Sequence, residues 1–526
     1  MTDVRYVLAI DLGTSGPKVA LVSDRGDLVG DGFAPVDLHL LPGGGAEQDP
    51  NQWWDTITKA TRQVLADQPV APESIIAVAV TSQWSGTVAV DAAGQAVGNA
   101  IIWMDSRGAD QVDDLAGGRV RFQGYDPRKL RKWIRLTAGA PSGSGKDSIA
   151  HILYLRDRHP DVYAATATFL EPKDYLNLRL TGKRAASFDS IALHWVTDNR
   201  DPNAVAYDDE LLGYAGLSRD QLPELRPATD VLGGLTEAAA ADLGLPPDLP
   251  VVMGTPDVHS AAIGAGTTPD RSAHLYIGTS SWLTCHVPGK KTDLIHSIAT
   301  LPAAIPGRYV VANEQETAGK ALEWLAGILY PGATDLRPVY AEMNEVATTV
   351  PAGSNGVIFT PWLYGERTPV EDDTVRGGFF NQSLDTGRPE LIRAVFEGIA
   401  FNSRWLLGYV ERFVKTTLNP IVMVGGGAQS DLWCQIHADV LGRTIRQAAD
   451  PIMVNVRGAG LLGHVALGRI TWAEIPSLVS ITRSFRPNPA HKEVYGPLYD
   501  AFRQIYKANR GMYRKLNRKT GLSGDE

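Results

Sequence analysis

Tyr6-Val7-Leu8-Ala9-Ile10-Asp11-Leu12-Gly13-Thr14-Ser15-Gly16-Pro17-Lys18-Val19-Ala20-Leu21-Val22 sets two apolar runs on either side of a polar, Gly-bounded turn. Tyr6–Ile10 has the continuous apolar character of a strand buried on both faces. Asp11–Gly16 turns the chain, and Lys18–Val22 starts a second strand. Asp24-Arg25-Gly26 is a further turn signal, after which Leu28-Val29 resumes. The segment therefore reads as a β-hairpin and meander, not as strand–turn–helix. A similar unit returns about 265 residues later: His274-Leu275-Tyr276-Ile277, then Gly278-Thr279-Ser280, then Ser281-Trp282-Leu283-Thr284. Two such units imply two related halves.

Helical and strand signals alternate between and beyond these units, which makes the class α/β. Helices are expected at 51–65, 146–157, 172–180, 319–330, 389–413, 432–441 and 495–516. Buried strands are expected at 75–80, 251–253 and 421–424. The Pro-rich break Leu245-Pro246-Pro247-Asp248-Leu249-Pro250 precedes one of those strands. It sets the expected division into residues 1–255 and 256–526.

Composition narrows the function classes. The chain has 526 residues, 44% of them hydrophobic, enough for large cores. Its 53 Gly exceed ordinary usage of about 7% and fall in clusters beside apolar runs, where backbone can approach a ligand closely. The net charge of −9 argues against nucleic acid as a partner. The basic stretch Lys507, Arg510, Arg514, Lys515, Arg518, Lys519 reads as the polar face of a terminal helix. Two cysteines, Cys285 and Cys434, cannot build a disulfide framework and read as buried small hydrophobes. No signal-peptide pattern and no apolar run of about 18 residues is present, so a soluble cytoplasmic protein without membrane contact is expected.

Four motifs could carry chemistry. In Asp11-Leu12-Gly13-Thr14-Ser15-Gly16, the glycines, the hydroxyls of Thr14 and Ser15 and the turn N–H groups suit phosphate oxygens. Asp11 would repel phosphate unless a cation such as hydrated Mg²⁺ stood between them. Gly278-Thr279-Ser280-Ser281 offers the same donors from the other half, and the two turns together could clamp a polyphosphate. Gly425-Gly426-Gly427-Ala428-Gln429-Ser430 follows a buried strand and leaves flat backbone for a nucleotide. In Met253-Gly254-Thr255-Pro256-Asp257-Val258-His259, Asp257 ends a strand at the division between halves. It could take a proton from a hydroxyl, as phosphoryl transfer requires, or equally cap a helix. His259 reads as structural. Ala140-Pro141-Ser142-Gly143-Ser144-Gly145-Lys146-Asp147 only imitates a P-loop: Ala140 replaces the first Gly and Asp147 the metal-binding hydroxyl. A dinucleotide site of Rossmann type is excluded because the first turn leads into a strand.

In this order and spacing the four motifs resemble the FGGY family of carbohydrate kinases. Glu47-Gln48-Asp49-Pro50 with Trp53-Trp54, Trp103-Met104-Asp105-Ser106-Arg107, Pro172-Lys173-Asp174-Tyr175-Leu176 and Ala438-Asp439-Val440-Leu441-Gly442 resemble its xylulose kinase branch. The resemblance implies two RNase-H-like domains, of the actin/Hsp70/hexokinase-like ATPase kind, with an active-site cleft between them. It implies ATP and Mg²⁺ as cofactors and a small sugar or polyol as substrate, and it leaves self-association into a homodimer open. It places Asp257 as the catalytic base and Asp11, with Asp257, at the metal. Nucleotide contacts fall to Asp11, Gly13, Thr14, Ser15, Gly278, Thr279, Gly425, Gly426, Gly427 and Gln429. The acceptor would lie near Gln83, Trp84, Trp103, Asp105 and Asp257, and D-xylulose is the first expectation. Xylulose kinases usually show Gln-Met-His-Gly where this chain has Gln83-Trp84-Ser85-Gly86, so another pentulose, a tetritol or other polyol remains open. A non-catalytic actin-like ATP switch is the reading from another class, and the cleft Asp257 with Trp103 and Asp105 argues against it.

Overall fold

A computed structural model describes residues 4–68 and 70–517. Arg518 and Lys519 of the C-terminal basic stretch lie outside the described residues.

The opening hairpin forms as the sequence indicates. β1 (Tyr6–Gly13) and β2 (Gly16–Ser23) run antiparallel with Gly13 opposite Gly16, and β3 (Leu28–Phe33) continues the meander. β4 (Ile75–Ser82) lies parallel to β1 on its other side. β5 (Val231–Gly234) and β6 (Pro250–Val252) complete a six-stranded sheet in the order β5-β6-β4-β1-β2-β3. β1 and β4 are central strands covered on both faces, which is why they read as unbroken apolar runs. Helix α1 (Pro50–Asp67) starts where Asp49 accepts the N–H of Asn51, and it buries Trp53, Trp54, Ile57 and Val64. Helix α2 (Ser148–Arg158) follows the P-loop-like segment. Helix α3 (Asp257–Gly264) leaves the end of β6.

The second half repeats the plan. β7 (Ala273–Ile277) and β8 (Ser281–Val287) form the antiparallel hairpin. Short strands β9 (Thr292–Asp293), β10 (Ile298–Pro302) and β11 (Tyr309–Ala312) extend it. β12 (Ile421–Val424) pairs parallel with β7, as β4 does with β1. With β13 (Ile445–Ala448) and β14 (Ile481–Phe485) the sheet has eight strands, ordered β9-β10-β11-β8-β7-β12-β13-β14. Helices α4 (Arg388–Val414), α5 (Asp431–Leu441), α6 (Val454–Ala466) and α7 (Lys492–Asn517) belong to this half in sequence. Cys285 and Cys434 are both buried in its core.

Helix α6 has no counterpart in the sequence reading, and it packs away from the sheet that precedes it in the chain. The first sheet ends at Val252 and the second begins at Ala273, yet α6 packs on the first sheet. Val456, Ala459, Leu461 and Leu462 share one core with Val7, Ala9, Ala20, Val22 and Ala79. Helices α3 and α6 cross backbone to backbone. A Cβ on Gly458 would stand 1.9 Å from the carbonyl oxygen of Ser260, and one on Gly264 would stand 1.8 Å from that of Val454.

Candidate active site

A cavity of about 780 Å³ opens between the halves. From the first half, the β1–β2 turn brings Asp11, Gly13, Thr14 and Ser15, the segment after β4 brings Gln83 and Trp84, and Trp103 joins them. Asp257 enters at the start of α3, and Thr279 at the β7–β8 turn. Thus residues far apart in the chain meet around one space.

Asp257 does not cap its helix. Pro256 holds the cap position, Asp257 is the first helical residue, and its Oδ1 accepts the N–H of Val258 at 2.8 Å. Burial, with the charge of Asp11 adding to it, pushes the Asp257 carboxyl up to about 8. Asp11 is itself 1% exposed. Its Oδ2 lies 3.5 Å from Lys18 Nζ, while its Oδ1 is buried without a partner among the described residues. Burial raises its pKa, against the pull of Lys18 and of the Asn455 carboxamide. A buried carboxylate oxygen left over beside a phosphate-type turn is suited to a hydrated divalent cation. Among the described residues no group of three or more His, Cys, Asp and Glu could hold a metal ion by itself, so such a cation would depend on phosphate and water as well.

The wall around Gln83 is a closed hydrogen-bond relay. Trp103 Nε1 donates to Thr14 Oγ1 (2.9 Å), Thr14 Oγ1 donates to Gln83 Oε1 (3.0 Å), and Gln83 Nε2 donates to Gln48 Oε1 (2.8 Å). The Thr14 hydroxyl is therefore engaged in the wall, whereas Ser15, the other hydroxyl of this turn, is exposed. Trp84 is fixed as well. Its Nε1 donates to Ser190 O at 2.9 Å, and its ring meets the edge of His259 at 5.1 Å. Ser85 donates its hydroxyl to Lys146 O at 2.8 Å. The Trp84-Ser85 pair thus presents an aromatic face to the cavity, with both side-chain donors already used. His259 is buried with Nε2 3.0 Å from Pro302 O, a structural position as the sequence indicates.

Several expected residues stand elsewhere. Asp105, expected beside the acceptor, does not line the cavity. Its carboxylate is saturated by Arg107 Nε and Nη2 and by the N–H of Ala46, so it is a brace behind the wall. Gly278, Gly425, Gly426, Gly427 and Gln429 also lie outside the cavity lining. Gly278 shapes the β7–β8 turn, donating its N–H to Ser280 O. Gly425 has φ +84°, and a Cβ there would stand 2.6 Å from the Ile277 carbonyl oxygen. The triple-Gly turn therefore packs on the end of β7, one residue before Gly278, with Gly426 exposed and nothing within 4 Å of where its Cβ would be. The β7–β8 turn reaches the cavity through Thr279 and Ser280, and the triple-Gly turn adjoins it from outside the cavity lining. The cavity also takes in Lys146, Tyr276, Trp282, Glu314, Arg367 and Asn455, which the sequence reading did not select. For Arg367 a signal existed: Gly365-Glu366-Arg367-Thr368-Pro369 wedges two charges between turn residues after an apolar strand.

Known proteins resemble the chain over nearly its whole length. The N-terminal domain model of the FGGY family of carbohydrate kinases matches residues 6–264, and the C-terminal domain model matches residues 273–467. The xylulose kinase of Staphylococcus epidermidis is 27% identical over 97% of this chain and 98% of its own. The xylulose kinase of Escherichia coli is 28% identical over 95% of this chain and 98% of its own. The crystal structure of ligand-bound xylulose kinase from Lactobacillus acidophilus superposes with a TM-score of 0.85 at 24% identity, covering 97% of this chain and all of that one, which shows a common two-domain fold. With both domain models matched in order, the chain belongs to the FGGY family of carbohydrate kinases.

Proposed function

We propose that this carbohydrate kinase transfers the γ-phosphoryl group of ATP to a hydroxyl of a small sugar, a ketopentose such as D-xylulose. The observation that carries the reading is the raised, buried carboxyl of Asp257 facing a cavity bordered by two phosphate-type turns. The xylulose kinases similar over almost the whole chain support the choice of sugar.

In this reading Asp257 accepts the proton of the attacking hydroxyl. The hydroxyl oxygen bonds to the γ-phosphorus as the bond from that phosphorus to the β–γ bridging oxygen breaks, and ADP leaves. A carboxyl titrating near neutral pH suits this exchange better than an ordinary Asp. Gln83, Trp84 and Trp103 orient the acceptor, and the turns at 13–15 and 278–279 hold the phosphates. The turn Gly425–Gly427, where Gly426 is exposed, receives the adenosine together with Gln429. Mg²⁺ fits the free oxygen of Asp11, with Asp257 nearby, and when bound supplies charge neutralisation on the phosphates. Trp84 and Ser85, which stand where the branch usually has Met and His, leave other pentuloses and polyols as the second reading of the acceptor.

An ATP-consumption assay across pentuloses, tetritols and polyols tests this. D-xylulose is expected to give the highest kcat/KM. Asp257→Ala is expected to lower kcat by about three orders of magnitude or more while nucleotide binding survives. Near-normal turnover in that variant overturns the assignment of the base.

A further inference from the structure

The segment Ala140–Asp147, which only imitates a P-loop, lies on the acceptor side of the cavity, where Lys146 and Asp147 form part of the wall. Lys146 faces two ways. Its carbonyl oxygen accepts the hydroxyl of Ser85, a residue held at φ 63° beside Trp84. Its ammonium crosses to the second half, with Nζ 3.1 Å from Glu316 Oε2 and 5.0 Å from the ring centre of Tyr364. The side chains of Lys146 and Glu316 are only 9% and 10% exposed, so the pair is poorly screened. Arg367 then links Glu316 (3.0 Å) to Glu314 (2.7 Å). Glu366 accepts the N–H groups of Glu316 (3.1 Å) and Arg367 (2.9 Å), which fixes both ends of that link. A connected series therefore runs Ser85–Lys146–Glu316–Arg367–Glu314. It starts at the acceptor wall of one half and ends on a carboxylate that shares the cavity with Asp257.

We propose that Lys146 is a positioning residue. Its ion pair with Glu316 holds the Trp84-Ser85 wall of the first half against the second half, and the acceptor pocket is complete only while that pair is formed. The inference rests on the acceptor lying at this wall, as proposed above. It predicts a selective defect. The acceptor loses one side of its pocket, whereas the nucleotide, bound by the 13–15, 278–279 and 425–427 turns, does not. A residue that merely supported the fold would weaken both ligands together.

The test is calorimetric titration of the full chain with D-xylulose and, separately, with a non-hydrolysable ATP analogue and Mg²⁺. Lys146→Met is expected to raise the Kd for D-xylulose about tenfold and to leave that of the nucleotide within about twofold. Lys146→Arg, which keeps the charge and the reach, is expected to stay within about threefold of wild type for the sugar. Glu316→Gln removes the tie from the other half and is expected to give the same selective loss. In its background, Lys146→Met is expected to add almost nothing. If Lys146→Met does not fold, Glu316→Gln alone decides. An unchanged sugar Kd, equal weakening of both ligands, or fully multiplicative effects in the double variant overturn the proposal. A wild-type chain that binds D-xylulose but never consumes ATP with it overturns the choice of substrate and leaves the tie standing. A wild type that binds no sugar overturns both.

Discussion

At the scale of single residues, two aspartates that look alike in the sequence have opposite fates. Asp257 is held near a pKa of 8 by burial and by Asp11, and only its ionised form can take a proton. For the free enzyme, kcat/KM is therefore expected to climb up to about tenfold per pH unit toward pH 8 and then level off, as a pH profile would read. The same shift acts on stability. The protonated group favours the fold below the unfolded carboxyl value of about 3.9, and that contribution is lost as pH rises through about 8. Asp257→Asn is thus expected to gain on the wild type by up to about 1.4 kcal/mol per pH unit across that window, measured by chemical denaturation. Asp105, by contrast, is bound up with Arg107, itself 11% exposed at the side chain. Asp105→Ala is expected to cost about 1–3 kcal/mol of stability, because it leaves the Ala46 N–H without its acceptor and the Arg107 guanidinium with Glu47 as its one carboxylate partner, and weaker sugar binding at unchanged stability would contradict this placement. From the sequence, both are expected beside the acceptor. Spacing alone could not tell the one aimed into the cavity from the one turned behind it, because Arg107 reaches back to its own neighbour two residues away.

At the scale of elements, most of the fold was legible because local signals were strong. Asp49-Pro50 started a helix where one begins, Ile421–Val424 read as the strand it is, and the hairpins showed as paired apolar runs. Helix α6 was not legible. Its sequence Val454-Asn455-Val456-Arg457-Gly458-Ala459-Gly460 is rich in Gly, which usually argues against a helix interior. Those glycines are explained by close packing: no Cβ fits at Gly458 against α3, and one at Gly460 would stand 2.3 Å from Val22 Cβ. Gly458→Ala is expected to cost about 1–3 kcal/mol and to lower kcat about tenfold, since α3 starts at Asp257 and α6 carries Asn455. Gly511→Ala in α7, where the residue is exposed and nothing lies within 4 Å of the would-be Cβ, is the control and is expected to stabilise by up to about 1 kcal/mol. Melting curves and steady-state kinetics on the two variants check both.

At the scale of the whole molecule, the repeat seen in two Gly-Thr turns is a repeat of topology: each half lays a later strand parallel to the first strand of its hairpin. What a linear reading could not supply is that the halves are not independent in the chain. Because α6 covers Val7, Val22 and Ala79, a fragment of residues 1–264 would expose a continuous apolar face. Expressed alone it is expected to be insoluble or aggregated on size-exclusion chromatography, and a well-behaved monomer would contradict the shared core. The cavity between the halves is walled in part by indole rings: Trp84, Trp103, Trp195 and Trp282 line it, four of the twelve tryptophans in the chain. Three of them are anchored through their N–H, Trp84 to Ser190, Trp103 to Thr14 and Trp195 to Asp147, and Trp282 stacks on Tyr276 at 4.0 Å. The enzyme thus carries its own optical reporter: ligand entry changes the polarity around a third of its indoles, so intrinsic emission can follow sugar and nucleotide binding without any added dye.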